Sequence, residues 1–203
     1  MATAGVLHAQ NANPPYQLSL TPPSTPIWKN GVGNGFNEGA QELGLSGGGG
    51  GSMPIFGSQL HNAWALGALR YGYMLTDVRG DGTWHRGNWE LLGELFGGMQ
   101  FHPDSAYITG IAPHLRYDFA TGHRVVPFVE LGAGLTATDI RDSNLSTTFE
   151  FNLQLGAGTH VFLSDSLAVT LEYRFIHVSN AGLDVPNLGL NSSTGYLGIT
   201  CFF

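Results

Sequence analysis

A histidine and a serine two residues apart, His177 and Ser179, are of the types and at the spacing that nucleophilic chemistry uses. A serine hydroxyl becomes a good nucleophile when a neighbouring base takes its proton, and imidazole commonly serves as that base. Residues i and i+2 of a strand lie on one face about 6.6 Å apart, so the imidazole can reach the hydroxyl. The pair alone is a weak signal, because His-x-Ser also occurs by chance in many chains.

The segment that carries the pair, residues 167–179, alternates apolar and polar side chains, which predicts a strand with His177 and Ser179 at the end of its apolar face. In a water-soluble sheet that face is packed in a core, sealed from substrate. In a membrane barrel the same face meets lipid. Residues 195–203 also alternate and end in an aromatic residue, which favours the membrane interpretation. The pair then predicts an esterase whose substrate is a lipid.

The composition agrees with a membrane barrel. Charged residues make up 11% of the 203 residues, against about 25% in soluble domains. No apolar run approaches the about 20 residues that a membrane-spanning helix needs. The net charge of −7 argues against nucleic-acid binding. Cys201 is the single cysteine and the histidines lack metal-ligand spacing, so we expect no disulfide, metal or other cofactor.

Eight segments alternate as strands, which predicts an all-β, eight-stranded antiparallel transmembrane barrel. They are residues 36–47, 63–75, 88–98, 106–119, 125–138, 148–163, 167–179 and 193–203. The glycine run at residues 47–51 is expected to form a flexible turn or loop. A soluble lipocalin-like barrel is the alternative, since alternation does not distinguish inside from outside; the low charge content and Phe203 favour the membrane barrel.

The polar face of these strands predicts a charged lumen. It carries residues of both signs, which we expect to form a hydrogen-bonded plug and leave no open channel. These residues are Arg70, Glu90, Glu94, Arg116, Glu130, Glu150, Glu172 and Arg174.

The chain divides into three parts. Residues 1–9 are interpreted as the remnant of an export signal, since they hold a short apolar stretch and a small residue before a potential cleavage point. Residues 10–35 are a leader rich in Pro, Asn and Ser that suits neither a ladder nor a helix. Residues 36–203 form the predicted barrel.

The residues around the pair carry a family resemblance. Residues 173–183 read Tyr-Arg-Phe-Ile-His-Val-Ser-Asn-Ala-Gly-Leu, and Pro186-Asn187 and Gly189 follow. This stretch resembles the C-terminal signature of the PagL-type lipid A 3-O-deacylases. The resemblance implies an outer-membrane barrel of Gram-negative bacteria with its site on the outer wall at the extracellular leaflet. It implies release of a 3-linked acyl chain from lipid A or a related glycolipid, with His177 as base and Ser179 as nucleophile.

The same resemblance places oxyanion donors near Asn180, Gly182 and Asn187, where a glycine-containing turn can aim N–H groups at developing negative charge. Phe151 is predicted on the lipid face one strand before the site, where it either packs beside an acyl chain or the catalytic ring, or only fills the apolar girdle.

The chain departs from the family at the third catalytic position, where the glutamate of the family is replaced by Asn191. An amide can orient the imidazole but cannot stabilise the imidazolium by charge. Two compensations stay open: Asn191 orients the ring, or Asp184 supplies the charge. Asn191→Glu is expected to raise hydrolysis. The replacement of the family's glutamate by Asn191 also keeps a second function open, a non-catalytic barrel with a structural, adhesive or assembly role. Self-association stays open as well.

Overall fold

The structure is a computed structural model that describes residues 36–56, 61–142 and 144–203. The interpretations of residues 1–9 and 10–35 lie outside the described residues. Eight strands form one closed antiparallel barrel in which each strand pairs with the next and β8 pairs with β1. They are β1 (Gln41–Ser52), β2 (Ala63–Met74), β3 (Gly87–His102), β4 (Ala106–Phe119), β5 (Val125–Thr138), β6 (Phe149–Phe162), β7 (Leu167–Ser179) and β8 (Leu190–Phe202). The predicted all-β, eight-stranded architecture is confirmed.

The first strand differs from its prediction. It begins at Gln41 and runs through the glycine run, so the expected turn at residues 47–51 is wrong. Those glycines pair with β2 on one side and β8 on the other, and these ladders fix a backbone that would be flexible alone. The glycines also allow close approach, because a Cβ on Gly48 or Gly50 would collide with backbone atoms of β8.

The outer wall of the barrel is apolar and its interior is polar. Along β5 and β6, Leu131 is 62% exposed and Leu155 is 59% exposed, whereas Glu130 and Gln154 point inward and are buried. A soluble lipocalin-like barrel would show the opposite arrangement, so this alternative is excluded. No helix within the described residues is long and apolar enough to cross a membrane.

The lumen is filled by an ion-pair network around three arginines. Arg70 contacts the carboxylates of Glu94, Glu130 and Glu172 at 2.6, 2.8 and 2.9 Å. Arg116 reaches Glu42, Glu90 and Glu130. Arg174 reaches Glu94 and Glu172. The eight residues predicted to point inward are all buried, so their predicted orientation is confirmed.

Apolar residues close the lumen at each end of this network. At the end of the barrel where β1 begins and β8 ends, Phe36 packs edge-on against Phe162 and Phe202. At the opposite end, Val178 and Leu190 belong to a second buried cluster that includes Trp64. This second cluster lies on the lumen side, where β7 ends and β8 begins. It therefore packs behind the part of the wall that carries the site.

Candidate active site

His177 and Ser179 are hydrogen-bonded on the outer face at the end of β7. The distance from His177 Nε2 to Ser179 Oγ is 3.0 Å. Both side chains are half-buried, while Val178 between them points inward. This is the contact that a base needs to take the proton of a serine hydroxyl.

Asn191 lies beside the histidine on β8. The antiparallel register of β7 and β8 places His177 opposite Asn191, and His177 Nδ1 is 2.7 Å from Asn191 Oδ1. The Asn191 side chain is fully buried, and its Nδ2 donates to the backbone oxygen of Ile55 at 2.9 Å. This contact arises because β8 begins at Leu190, three residues before the segment 193–203 predicted from the sequence.

These contacts define the tautomer of the imidazole. A backbone carbonyl only accepts hydrogen bonds, so the Asn191 group that faces Ile55 must be the NH₂ and the group that faces His177 must be the oxygen. Nδ1 of His177 therefore carries the proton and donates to Asn191. Nε2 is left with a lone pair directed at Ser179, and the serine O–H donates to it.

Neither carboxylate near the site takes the acid position. Glu172 points into the lumen, as its parity predicts, and pairs with Arg70 and Arg174. Asp184 is exposed, and its carboxylate accepts a hydrogen bond from the N–H of Val185. Since Nδ1 of His177 is already bonded to Asn191, the structure favours the amide over Asp184 as the orienting group.

The turn after Ser179 contains the three residues expected to supply oxyanion donors, Asn180, Gly182 and Asn187. Ala181 and Gly182 have positive φ angles of 55° and 82°, which reverse the chain directly after the serine. The N–H of Asn180 donates to Asn187 Oδ1 at 3.2 Å, and the N–H of Gly182 donates to Asn180 Oδ1 at 2.9 Å. Both predicted backbone donors are therefore already bonded within the turn.

The third expected donor, the Asn187 side chain, is oriented by the first of these bonds. Because its oxygen accepts from the N–H of Asn180, its NH₂ group points elsewhere, and the described residues offer it no acceptor. This leaves the Asn187 amide as an available donor in the turn that follows Ser179.

Phe151 is the neighbour of Ser179 on β6. The register pairs Phe151 with Ser179 and Leu153 with His177, so the two apolar side chains flank the polar pair on the outer face. Phe151 is 46% exposed. Phe151 therefore lies on the outer face, where its strand parity predicts it, and this position suits contact with an acyl chain.

Two further residues at the site were not singled out from the sequence. One is Ile55, which acts through its backbone carbonyl, a group that no side-chain pattern reveals. The other is Gly189, which has a φ of 75° and where a Cβ would lie 2.8 Å from Cε1 of His177. The motif contains Gly189, and a glycine next to a catalytic motif is the signal that could have indicated this contact. The described residues contain no group of three potential metal ligands.

Comparisons with known proteins give one family. A family model described as Lipid A 3-O-deacylase (PagL) matches residues 60–200. The lipid A deacylase PagL of Pseudomonas aeruginosa is 40% identical over 84 residues, which cover 40% of this chain and 46% of that protein. The chain therefore matches about half the length of this relative.

Solved structures share the fold. The crystal structure of the outer membrane enzyme PagL gives a TM-score of 0.53 at 21% identity, covering 77% of this chain and 97% of that chain. Neisserial surface protein A gives 0.57 at 14% identity, covering 81% and 99%. The attachment invasion locus protein Ail of Yersinia pestis gives 0.51 at 16% identity, covering 82% and 99%.

The fold and the site together define an outer-membrane β-barrel that carries a hydrogen-bonded serine and histidine on its outer wall. Within this class, the family model covers more than half of the chain. The chain belongs to the lipid A 3-O-deacylase (PagL) family.

Proposed function

We propose that this protein is a serine esterase that removes the 3-O-linked acyl chain of lipid A, with Ser179 as nucleophile and His177 as base. The observation that carries the proposal is the Ser179–His177–Asn191 hydrogen-bond chain on an apolar outer wall. Membership of the lipid A 3-O-deacylase family supports the deacylase chemistry and the lipopolysaccharide substrate.

The position of the site suits a lipid ester in the outer leaflet. Barrels of this kind have their short turns in the periplasm. The short links after β4 and β6 lie at the end where β1 begins and β8 ends, and the site lies at the other end, with the ten-residue links after β1, β5 and β7. The β2–β3 and β3–β4 links depart from this pattern. Ser179 is then at the extracellular end of the wall, beside the exposed side chain of Phe151.

The first chemical step is attack on the ester carbonyl. Nε2 of His177 accepts the hydroxyl proton while Ser179 Oγ forms a bond to the carbonyl carbon. Asn191 Oδ1 keeps the ring in the required tautomer through the bond to Nδ1. The Asn187 amide supplies a donor for the oxyanion of the tetrahedral intermediate.

The intermediate then collapses, and His177 returns the proton to the departing sugar oxygen. The acyl group is left on Ser179. Water, deprotonated by the same imidazole, attacks the acyl carbon. The bond from this carbon to Ser179 Oγ then breaks, His177 returns the proton to Oγ, and the fatty acid is released. Each proton transfer uses Nε2, so one tautomer serves both halves of the reaction.

The test is mass spectrometry of lipid A from cells that express the protein or its variants. The wild type should remove the mass of one hydroxyacyl chain, and Ser179→Ala or His177→Ala should lower the rate at least about 10³-fold. Ser193→Ala is the matched control, because Ser193 lies on the outer face of β8 and bonds the Tyr173 hydroxyl. A folded wild-type barrel that leaves lipid A intact would favour the non-catalytic role.

A further inference from the structure

The segment that follows β1 closes around Asn191. The N–H of Met53 donates to the backbone oxygen of Asn191 at 2.7 Å, which extends the β1–β8 ladder by one step. The chain then reverses at Pro54, where the N–H of Ile55 donates to the oxygen of Met53 at 2.8 Å. We call residues 53–55 the 53–55 turn.

This turn places a fixed acceptor against the Asn191 side chain. The Ile55 carbonyl accepts from Asn191 Nδ2 at 2.9 Å, and this contact determines which end of the amide faces His177. Asn191 is fully buried, so water does not compete for its NH₂ group. Without the carbonyl of Ile55, the amide could rotate and present NH₂ to His177, which would require the opposite tautomer.

The same acceptor discriminates between an amide and a carboxylate. A carboxylate has no hydrogen to donate, so one of its oxygens would face the Ile55 carbonyl oxygen in a buried position. Two acceptors in contact without water or a proton between them are unfavourable. The expectation that Asn191→Glu raises hydrolysis took account only of the contact with His177, and the Ile55 carbonyl opposes it.

We propose that the 53–55 turn is a positioning element of the site, which holds the Asn191 amide with its oxygen towards His177 and makes the site selective for an amide at this position. The effect on turnover rests on the proposed function. The effect on the histidine tautomer does not.

The experiment combines two substitutions with two measurements. Pro54→Gly loosens the 53–55 turn, and Asn191→Asp replaces the amide by a carboxylate of the same size. Ser105→Gly, in the exposed β3–β4 connection at the same end of the barrel, is the control for added backbone freedom. The measurements are the ¹⁵N shifts of His177, assigned by difference from His177→Gln, and the rate of lipid A deacylation. Both are made on the full chain in lipid or detergent.

We expect the wild type and Ser105→Gly to show His177 protonated at Nδ1. Pro54→Gly should populate the Nε2-protonated tautomer and lower the deacylation rate about 10-fold to 10²-fold. Asn191→Asp should lower the rate with the turn intact, and should be less harmful in the Pro54→Gly background, because the opposing carbonyl can move away.

An unchanged tautomer in Pro54→Gly would overturn the proposal, as would a rate for Asn191→Asp at or above that of the wild type. If the wild type cleaves no lipid A, the proposed function fails. The tautomer measurement still decides the role of the 53–55 turn in that case.

Discussion

Asn191 accepts the hydrogen bond from Nδ1 of His177, as a carboxylate would, but it carries no negative charge. An amide cannot stabilise the imidazolium by charge, and an Asp-to-Asn change in the serine-protease triad costs about 10⁴ in kcat because the ring adopts the wrong tautomer. Here the Ile55 carbonyl forces the amide oxygen towards Nδ1, so the productive tautomer is kept. In the proposed reaction the tautomeric part of that cost is therefore absent, and we expect the rate to depend on ring orientation and oxyanion donors.

The oxyanion role of Asn187 can be separated from its structural role. Asn187→Asp keeps an oxygen that can accept from the N–H of Asn180 but removes the NH₂ donor and adds a negative charge. We expect kcat to fall about 10²-fold to 10³-fold, as for the loss of one oxyanion donor. The measurement is the deacylation rate on purified lipopolysaccharide, and an activity equal to that of the wild type would remove Asn187 from the mechanism.

We predict that residue 189 must be glycine for two reasons, its positive φ angle and the imidazole of His177 beside it. A Cβ at this position would lie 2.8 Å from His177 Cε1, and an alanine at φ +75° would add strain of about 1–2 kcal/mol. Gly189→Ala should therefore lower kcat about 10-fold or more.

Gly122 provides the matched control for this substitution. It has a φ of +78°, and no atom within 4 Å of the position of its Cβ, in the turn between β4 and β5. Gly122→Ala adds the same backbone strain away from the site, so it should lower stability and leave deacylation unchanged. Equal losses of activity in both variants would show that backbone strain alone explains the effect of Gly189→Ala.

At the scale of strands, the alternation of side chains fixes most of the candidate site. The parity of β7 places His177 and Ser179 on the outer face. Asn191 has the matching parity, but it lies beside His177 only because β8 begins at Leu190, before the predicted segment 193–203. The contacts made by loops could not be obtained in this way. The bond between Ile55 and Asn191 joins residues 136 positions apart through a backbone carbonyl, and no periodicity encodes it.

The glycine run of β1 illustrates the limit of local propensity. Its five residues favour a turn when considered alone, yet the barrel needs a strand there with almost no side chains on its inner face. The requirement comes from β8, which approaches Gly48 and Gly50 too closely for a Cβ. Such a requirement depends on the partner strand, so the sequence of β1 alone could not show it.

Two adjacent glycines in this strand should differ in their tolerance of alanine. A Cβ on Gly48 would overlap the Gly195 carbonyl and lie 2.9 Å from the ring of Tyr196, whereas a Cβ on Gly47 would have the Leu66 oxygen at 4.0 Å as its nearest contact. Gly48→Ala should lower the free energy of unfolding by about 1–3 kcal/mol, and Gly47→Ala should not. Urea unfolding of the two variants in detergent micelles checks this, and equal midpoints would contradict the close approach of β1 and β8.

At the scale of the whole molecule, the barrel separates stability from chemistry. The ion pairs lie in the lumen, whereas His177 and Ser179 lie on the outer wall at one end. The signs and inward direction of the lumen charges follow from strand parity. Their pairing does not, because each arginine bridges strands whose distances across the lumen are set only when the barrel closes.

Removing one lumen arginine should therefore destabilise the barrel without changing its chemistry. Arg70 is buried and contacts Glu94, Glu130 and Glu172. Each of these carboxylates also contacts Arg116 or Arg174, so Arg70→Met removes one of the three buried positive charges that balance them. We expect a loss of about 3–5 kcal/mol in the free energy of unfolding. Glu172→Gln in the same chain should restore part of it, because it lowers the excess of buried negative charge by one.

The deacylation rate of the folded Arg70→Met variant should match that of the wild type at a temperature where both are folded. Urea unfolding and lipid A mass spectrometry on the same samples measure the two properties. A variant as stable as the wild type would show that the network contributes little. A folded variant with a reduced rate would show that the lumen charges act on the outer wall, because the substitution leaves the Ser179–His177–Asn191 chain itself unaltered.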